Sequence, residues 1–237
     1  MSIQGLKLFE KKQNQDLLGF DLNEESLKIA HVRVTHLKRE VVNLVSHSVR
    51  GMSDEDIAGF LTRTLADFKI TNPRTFITVP LQSVITRSIE IPSRDPGEIR
   101  EIVNLQASRH TPYSRSEIIV ETLTLGIVRE SYTKVLLVIA PREIVARQAK
   151  ILEKANLKLE KVFFPPEGVS HACAKILNSE SSSAVIAIVH MDATFTSFLV
   201  IQKSKILFVR GIPIGAETSE QFCQFGNDRD FAALRLV

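Results

Sequence analysis

The feature that most constrains this chain is a repeat of a three-strand unit. Residues 17–22, 27–34 and 40–48 are short, aliphatic-rich segments, separated by Asn23-Glu24-Glu25 and by the polar residues 35–39. The same rhythm returns at 184–190, 195–202 and 205–210, with a tight turn at Lys203-Ser204. Three aliphatic runs joined by short polar turns read as an antiparallel meander. Two such meanders separated by helices imply two related halves.

Between the meanders the pattern alternates. Ser53 is placed to cap a helix whose apolar residues Ile57, Phe60, Leu61, Leu65 and Phe68 fall on one face. A returning strand at 75–79 ends at Pro80. A strand at 84–91, a helix at 95–109 beginning near Pro96, and strands at 117–126 and 133–140 follow. The next helix is expected to carry Pro141 in its first turn, where no N–H is needed, with Ile144, Val145, Ile151, Leu152 and Ala155 as its buried stripe. A strand at 159–164, a helix at 165–177 and a Ser-rich linker at 178–183 complete the first half. The order predicts a mixed α+β fold divided into a basic N-terminal segment (1–16), a first subdomain (17–80), an inserted α+β module (81–160), a return with linker (161–182) and a partial second domain (183–237). After Ala216 only 21 residues remain, too few for the helix, strand and helix that complete the first unit. The expectation is either a truncated chain or an open sheet edge covered by a partner.

Composition excludes several function classes. Thirty Lys and Arg against 27 Asp and Glu leave +3, spread without a basic block, and there is no Trp and only two Tyr, so no nucleic-acid partner is expected. Cys173 and Cys223 are far apart and lack a C-x-x-C or His-rich neighbourhood, which argues against zinc and against a disulfide scaffold and fits a reducing cytoplasm. The longest apolar runs, 135–141 and 184–189, fall well short of the roughly 20 residues of a membrane helix. Residues 1–15, with Lys7, Lys11 and Lys12 around Leu6, Leu8 and Phe9, form a short basic amphipathic piece without a cleavage site. His190 has no ligand-spaced Cys or Glu nearby, and His110, His171 and Cys173 read as packing or surface residues. No nucleophile, base and orienting acid can be paired from position alone.

Ordered short motifs carry a resemblance. Residues 19–28 read G-F-D-L-N-E-E-S-L-K; Val79-Pro80 ends a strand; 87–92 read R-S-I-E-I-P; His110-Thr111-Pro112-Tyr113 follows a helix; 136–140 read L-L-V-I-A; and 206–215 contain R-G-I-P-I-G. In this order they resemble the PilM family of type IV pilus assembly proteins, within the actin-like ATPase superfamily and related to FtsA. The resemblance implies an actin-like (ribonuclease H-like) fold with an inserted FtsA-type 1C subdomain and an incomplete second half.

It also implies a nucleotide site held by two strand–turn–strand loops, whose backbone N–H groups cradle phosphates while an aspartate orients Mg and its waters. The matching positions are Asp21, Asn23, Ser26 and Lys28 in the first loop and Asp192, Thr194 and Thr196 in the second, with Asp21 the Mg residue if nucleotide binds. The family's loop glycine is Asn23 here, which tolerates a left-handed conformation. Glu24 and Glu25 bring two carboxylates beside the phosphate position. In the second loop the family's D-x-G stands as His190-Met191-Asp192, and a two-residue shift along a strand displaces a carboxylate by roughly 6.6 Å. The expectation is a degenerate site, with ATP and Mg doubtful and hydrolysis weak or absent. Asp21 keeps a second reading as an ordinary turn residue.

The resemblance further implies a cytoplasmic scaffold, peripheral at the inner membrane through its partners. Those partners are the cytoplasmic tail of a PilN-like inner-membrane protein and other pilus or secretion assembly proteins. An extended tail in a groove beside the inserted module suits a strand-rich surface, with Phe20, Lys28, Arg87 and Tyr113 as the candidate contacts. The alternatives are an active actin-like ATPase whose ATP state controls assembly, and a nonfunctional fragment.

Overall fold

The computed structural model describes residues 15–177 and 183–217. In chain order these form β1 (Gln15–Leu22), β2 (Ser26–Val34), β3 (Arg39–Ser48), α1 (Asp54–Phe68), β4 (Arg74–Thr78), β5 (Ile85–Ile91), α2 (Pro96–Gln106), β6 (Ile118–Arg129), β7 (Tyr132–Pro141), α3 (Arg142–Lys154), β8 (Leu159–Phe163), α4 (Pro165–Ile176), β9 (Val185–Met191), β10 (Thr196–Gln202) and β11 (Lys205–Ile212). The strands lie in three sheets, ordered β3-β2-β1-β4-β8, β5-β7-β6 and β11-β10-β9. Among the described residues no helix is long and apolar enough to cross a membrane.

The chain divides into two compact units. The first holds residues up to 78 together with 145–162. Here alternation along β1 and β2 points Leu18, Phe20, Leu22, Leu27 and Ile29 to one face, where they meet Ile57 and Leu61 of α1 and Ile151 and Leu152 of α3. The antiparallel register sets Phe20 opposite Ile29 and Leu22 opposite Leu27, while β4 runs parallel on the other side of β1. Ser53 opens α1 with a reciprocal capping box to Asp56, and Lys69 ends it in the left-handed region at φ 52°.

The same inward phase brings a polar residue into this core. His31 is fully buried; Asn43 donates to its Nδ1 at 3.0 Å, so Nε2 carries the proton donated to Asp16 at 2.7 Å. Phe68 stacks on the imidazole. The Arg33 Nε donates to the same Asp16 oxygen at 3.1 Å. Burial pushes the Asp16 carboxyl up, but the hydrogen bonds from His31 and Arg33 and the positive charge of Arg33 outweigh it and hold it below the usual carboxylate range.

The second unit holds residues 79–144 and those from 163 onward. Its centre is β7, buried on both faces. Val135, Leu137 and Ile139 pack with Ile99, Val103 and Ala107, the first two of these from α2. Leu136 and Val138 pack with Ala174 of α4 and with Leu199, Ile201, Ile206 and Val209 of the second meander. The inserted sheet is therefore covered by helix on one side and by the second meander on the other.

Three sequence expectations change here. Pro141 is the last residue of β7 rather than the first turn of α3, which its fixed φ permits at a strand end. From Val145 onward α3 packs into the first core, so residues 145–160 do not belong with the insert's sheets. The helix α4 contacts the second meander and lies in its unit. The segment 1–14, most of the linker 178–182 and residues 218–237 lie outside the described residues.

Candidate functional site

The hairpin between β1 and β2 is closed by one side chain. Asn23 Oδ1 accepts the backbone N–H of Glu25 at 2.9 Å and of Ser26 at 2.8 Å, with the Ser26 hydroxyl at 3.4 Å. The Asn23 N–H in turn donates to the Ser26 carbonyl at 3.0 Å. The backbone donors a phosphate-binding hairpin would present are thus engaged by a carboxamide oxygen of the loop itself. Left-handed φ occurs, among the described residues, at Lys69, Asn72, Asn156, Lys203, Ser204 and Gly51. Asn23 is not one of these, so it shapes the turn through its side chain and not through the left-handed backbone expected from its substitution for glycine.

Around this loop the charges are paired. Glu25 forms an ion pair with Arg50 at 2.9 Å, and Arg147 of α3 donates twice to Asp54 at 2.9 and 2.7 Å. The hydrogen bonds that Arg147 donates to Asp54, with the negative charge of Asp54 and then of Glu24, raise the Arg147 pKa against the opposing effect of burial. Asp21 Oδ1 accepts the Thr78 hydroxyl at 2.8 Å across the parallel β1–β4 pair. Lys28 lies directly opposite Asp21 in the antiparallel register and is half-buried. The buried Gln148 of α3 donates to the Leu22 carbonyl at 3.0 Å, anchoring the last residue of β1 before the loop. Its Oε1 has no partner among the described residues. Sequence reading passed over Gln148, although its position three residues after Val145 and four before Leu152 marks it as a polar member of the buried stripe.

The hairpin between β9 and β10 is built differently. The Asp192 N–H donates to the Phe195 carbonyl at 2.8 Å, and the Asp192 carboxylate accepts the Ala193 N–H at 3.0 Å. The loop is held from behind by the exit of β11: Ala216 N–H donates to the Asp192 carbonyl and Glu217 N–H to that of Ala193, both at 2.9 Å. Close approach requires glycine here, because a Cβ on Gly215 would lie 2.3 Å from the Ala193 carbonyl oxygen and one on Gly211 would lie 2.3 Å from the Phe195 ring. Thr196 is buried and donates to the Ile214 carbonyl at 2.6 Å, whereas Thr194 is exposed. His190 stands 3.4 Å from the Ser197 hydroxyl.

The residues expected to contact a partner separate by burial. Phe20 is only 3% exposed and belongs to the first core, so its side chain packs the fold and offers no surface. Arg87 is exposed on β5, an edge strand of its sheet, and Tyr113 is 40% exposed on the segment between α2 and β6. Among the described residues no group of three His, Cys, Asp or Glu is arranged to hold a metal ion.

Comparison with known proteins gives the architecture a context. Residues 16–232 match the family model described as type IV pilus assembly protein PilM. A search of curated proteins returns no significant match. Among solved structures, one described as a PilM-PilN type IV pilus biogenesis complex is similar with a TM-score of 0.74 and 21% identity, over 92% of this chain and 67% of that one. The cytoplasmic domain of EpsL, an inner-membrane component of the type II secretion system of Vibrio cholerae, is similar with a TM-score of 0.54 and 12% identity, over 91% of this chain and 79% of that one. A protein with an actin-like ATPase fold from Bacteroides thetaiotaomicron follows with a TM-score of 0.51 and 8% identity, over 94% and 78%. These likenesses place the mixed α/β architecture in the actin-like class.

Proposed function

The chain belongs to the PilM family of type IV pilus assembly proteins, and we propose that it is a scaffold that holds the cytoplasmic tail of a PilN-like inner-membrane protein and does not cycle ATP. It sits at the inner membrane through that partner and joins other assembly proteins there. The observation that carries the partner assignment is the likeness to a chain solved in a complex of PilM with PilN. Within the second unit, β5 offers what an extended tail needs. Among the described residues it pairs with β7 on one side only, and it carries the exposed Arg87 two residues before Ile89 and the exposed Glu90 one residue after it, on opposite faces. A tail laid along it as a further strand gains backbone hydrogen bonds, and Arg87 and Tyr113 supply side-chain contacts. Lys28 is the candidate contact in the first unit.

The closure of the first hairpin supports the nucleotide part of this reading. A triphosphate would have to displace Asn23 Oδ1 from two N–H groups before binding them. Replacing a satisfied neutral acceptor by a solvated anion yields little net gain. Asp21 is engaged by Thr78, and in the second hairpin Asp192 and Thr196 are engaged internally.

Calorimetric titration of the folded chain with a synthetic PilN-like cytoplasmic tail, with and without Mg-ATP, tests the proposal. Saturable tail binding, weakened by Arg87→Ala and indifferent to Mg-ATP, is the expected result. Absence of tail binding sinks the scaffold. Saturable Mg-ATP binding abolished by Asp21→Ala would instead establish the nucleotide-controlled alternative.

A further inference from the structure

His31 is a fully buried titratable side chain that the proposed tail contacts leave unused. It stands where three strands meet, opposite Leu18 of β1 and opposite Asn43 of β3, at the last pair before the register shift between β2 and β3. Beyond the shift, Arg33 lies directly opposite Asp16 on β1 and directly opposite Glu40 on β3. Register thus gathers a charged group from each strand around the imidazole: Asp16 from β1, Arg33 from β2 and Glu40 from β3. Asn43 of β3 adds a neutral amide, and α1 adds the Phe68 ring, whose neighbours Asp67 and Lys69 are exposed. Lys38 pairs with Glu40 at 2.6 Å. The hydrogen bond and charge of Lys38, and then the charge of Arg33, hold the Glu40 carboxyl below its usual range.

Each group that touches His31 suits the imidazolium as well as the imidazole. A second proton goes to Nδ1, the nitrogen that accepts from Asn43 Nδ2 at 3.0 Å. With the carboxamide turned over, Asn43 Oδ1 takes the place of Nδ2 and accepts the new Nδ1–H. Asp16 keeps the Nε2–H at 2.7 Å and becomes the counter-charge. The Phe68 ring, stacked at 5.8 Å and 19°, offers its negative face to the cation. A buried cation is costly unless it is paired and hydrogen-bonded, and here both ring nitrogens and one ring face are provided for. Arg33 opposes. Its Nε and His31 Nε2 donate to the same Asp16 oxygen, so charging the ring sets two cations on one acceptor. The Arg33 side chain is 42% exposed and that of His31 0%, so Arg33 is the one free to leave, and Glu40 is the carboxylate across from it.

We infer that His31 is a proton-operated latch: a proton taken up on Nδ1 turns the Asn43 carboxamide over and sends the Arg33 guanidinium from Asp16 to Glu40. The proton comes from solvent, and the only covalent bond formed is N–H. Acidification thereby exchanges one set of cross-strand contacts for another. β1 is then held by an ion pair inside the core, and β3 gains a charge-assisted hydrogen bond from His31 and an ion pair from Arg33. The hold of β2 on β3 strengthens, and the charge pattern at this end of the sheet is rearranged without moving a strand.

Two-bond 1H–15N NMR spectra of the full 15N-labelled chain, recorded from about pH 8 to about pH 5, the range in which imidazoles change charge, test this. Near the upper limit the His31 nitrogens show the Nε2–H tautomer and near the lower limit the doubly protonated ring, with the amide spectrum of the folded chain retained. The Arg33 Nε–H signal shifts with the same midpoint, while that of Arg147, which is donated to Asp54, keeps its position. Asn43→Leu removes the acceptor and lowers the midpoint by about one pH unit, whereas Asn43→Asp raises it. In Glu40→Gln, at an exposed position, the Arg33 shift is lost. A ring still singly protonated at about pH 5 overturns the proposal. So does unfolding on proton uptake, an Arg33 signal that stays in place while the ring titrates, or a midpoint indifferent to Asn43.

Discussion

The two meanders of this chain start from the same local pattern and end in different surroundings. In the first, β1 has strand neighbours on both sides, and its inward face is sealed by α1 and α3. In the second, β10 and β11 bury one face against the inserted sheet and α4, while among the described residues nothing covers the other face or pairs with the free side of β9. Alternation of apolar residues decides that a meander forms. What covers it is decided by elements far away in sequence.

The contrast is sharpest in the cores. Leu18→Ala, at a fully buried site, is expected to lower unfolding stability by about 2–5 kcal/mol, while Val189→Ala stays within about 0.5 kcal/mol. Urea denaturation of the two variants measures both, and equal losses would mean that the second meander is covered after all.

A smaller effect belongs to the polar centre of the first core. Asp16→Ala leaves the buried Nε2–H of His31 without its acceptor and is expected to cost about 1–3 kcal/mol. Asp16 also sets a pH dependence. Its folded pKa is depressed, so its contribution is complete above the ordinary carboxylate value of about 3.9 and is lost as pH falls through the lower folded value. Stability measured down through that window should fall more steeply in the parent chain than in Asp16→Asn; superimposable curves would remove Asp16 from the account.

Ser53→Ala removes one half of the α1 capping box and is expected to cost about 1 kcal/mol, read from the denaturation midpoint. The last contrast lies between the two hairpins. Asn23→Ala frees the Glu25 and Ser26 amides, costs about 0.5–1 kcal/mol, and should raise hydrogen exchange at those two amides while leaving the 192–195 loop unchanged. Exchange rising in both loops would show a general loosening of the fold.

Much of this architecture is legible in the sequence because its signals are local. Aliphatic alternation marks both meanders, Ser53 and Asp95 mark the helix starts, and Lys203-Ser204 marks the tight turn, where both residues take positive φ. The remainder depends on partners distant along the chain. Phe20 is inward because Ile29 and the helices lie on that side, and a motif match does not reveal which face a strand residue takes. Pro141 is compatible with a strand end and a helix start alike, so composition does not choose between them. Asn23 suggested its backbone freedom, whereas its carboxamide is what the loop uses. That choice depends on two N–H groups being within reach, a matter of three-dimensional geometry. His31 and Gln148 each fall in phase with an apolar stripe, yet the sequence reading singled out neither, because their acceptors Asp16 and Leu22 lie 15 and 126 residues away.

The double burial of β7 carries a kinetic consequence. β6 and β7 are joined by a two-residue turn and pair locally, so their hairpin closes at small entropic cost and can form early. The second meander buries Leu199, Ile201, Ile206 and Val209 against Leu136 and Val138 of β7 as well as Ala174 of α4. The order of events is then template first and meander second. A substitution such as Leu136→Ala should slow refolding of the second unit, whereas Leu199→Ala should chiefly speed its unfolding.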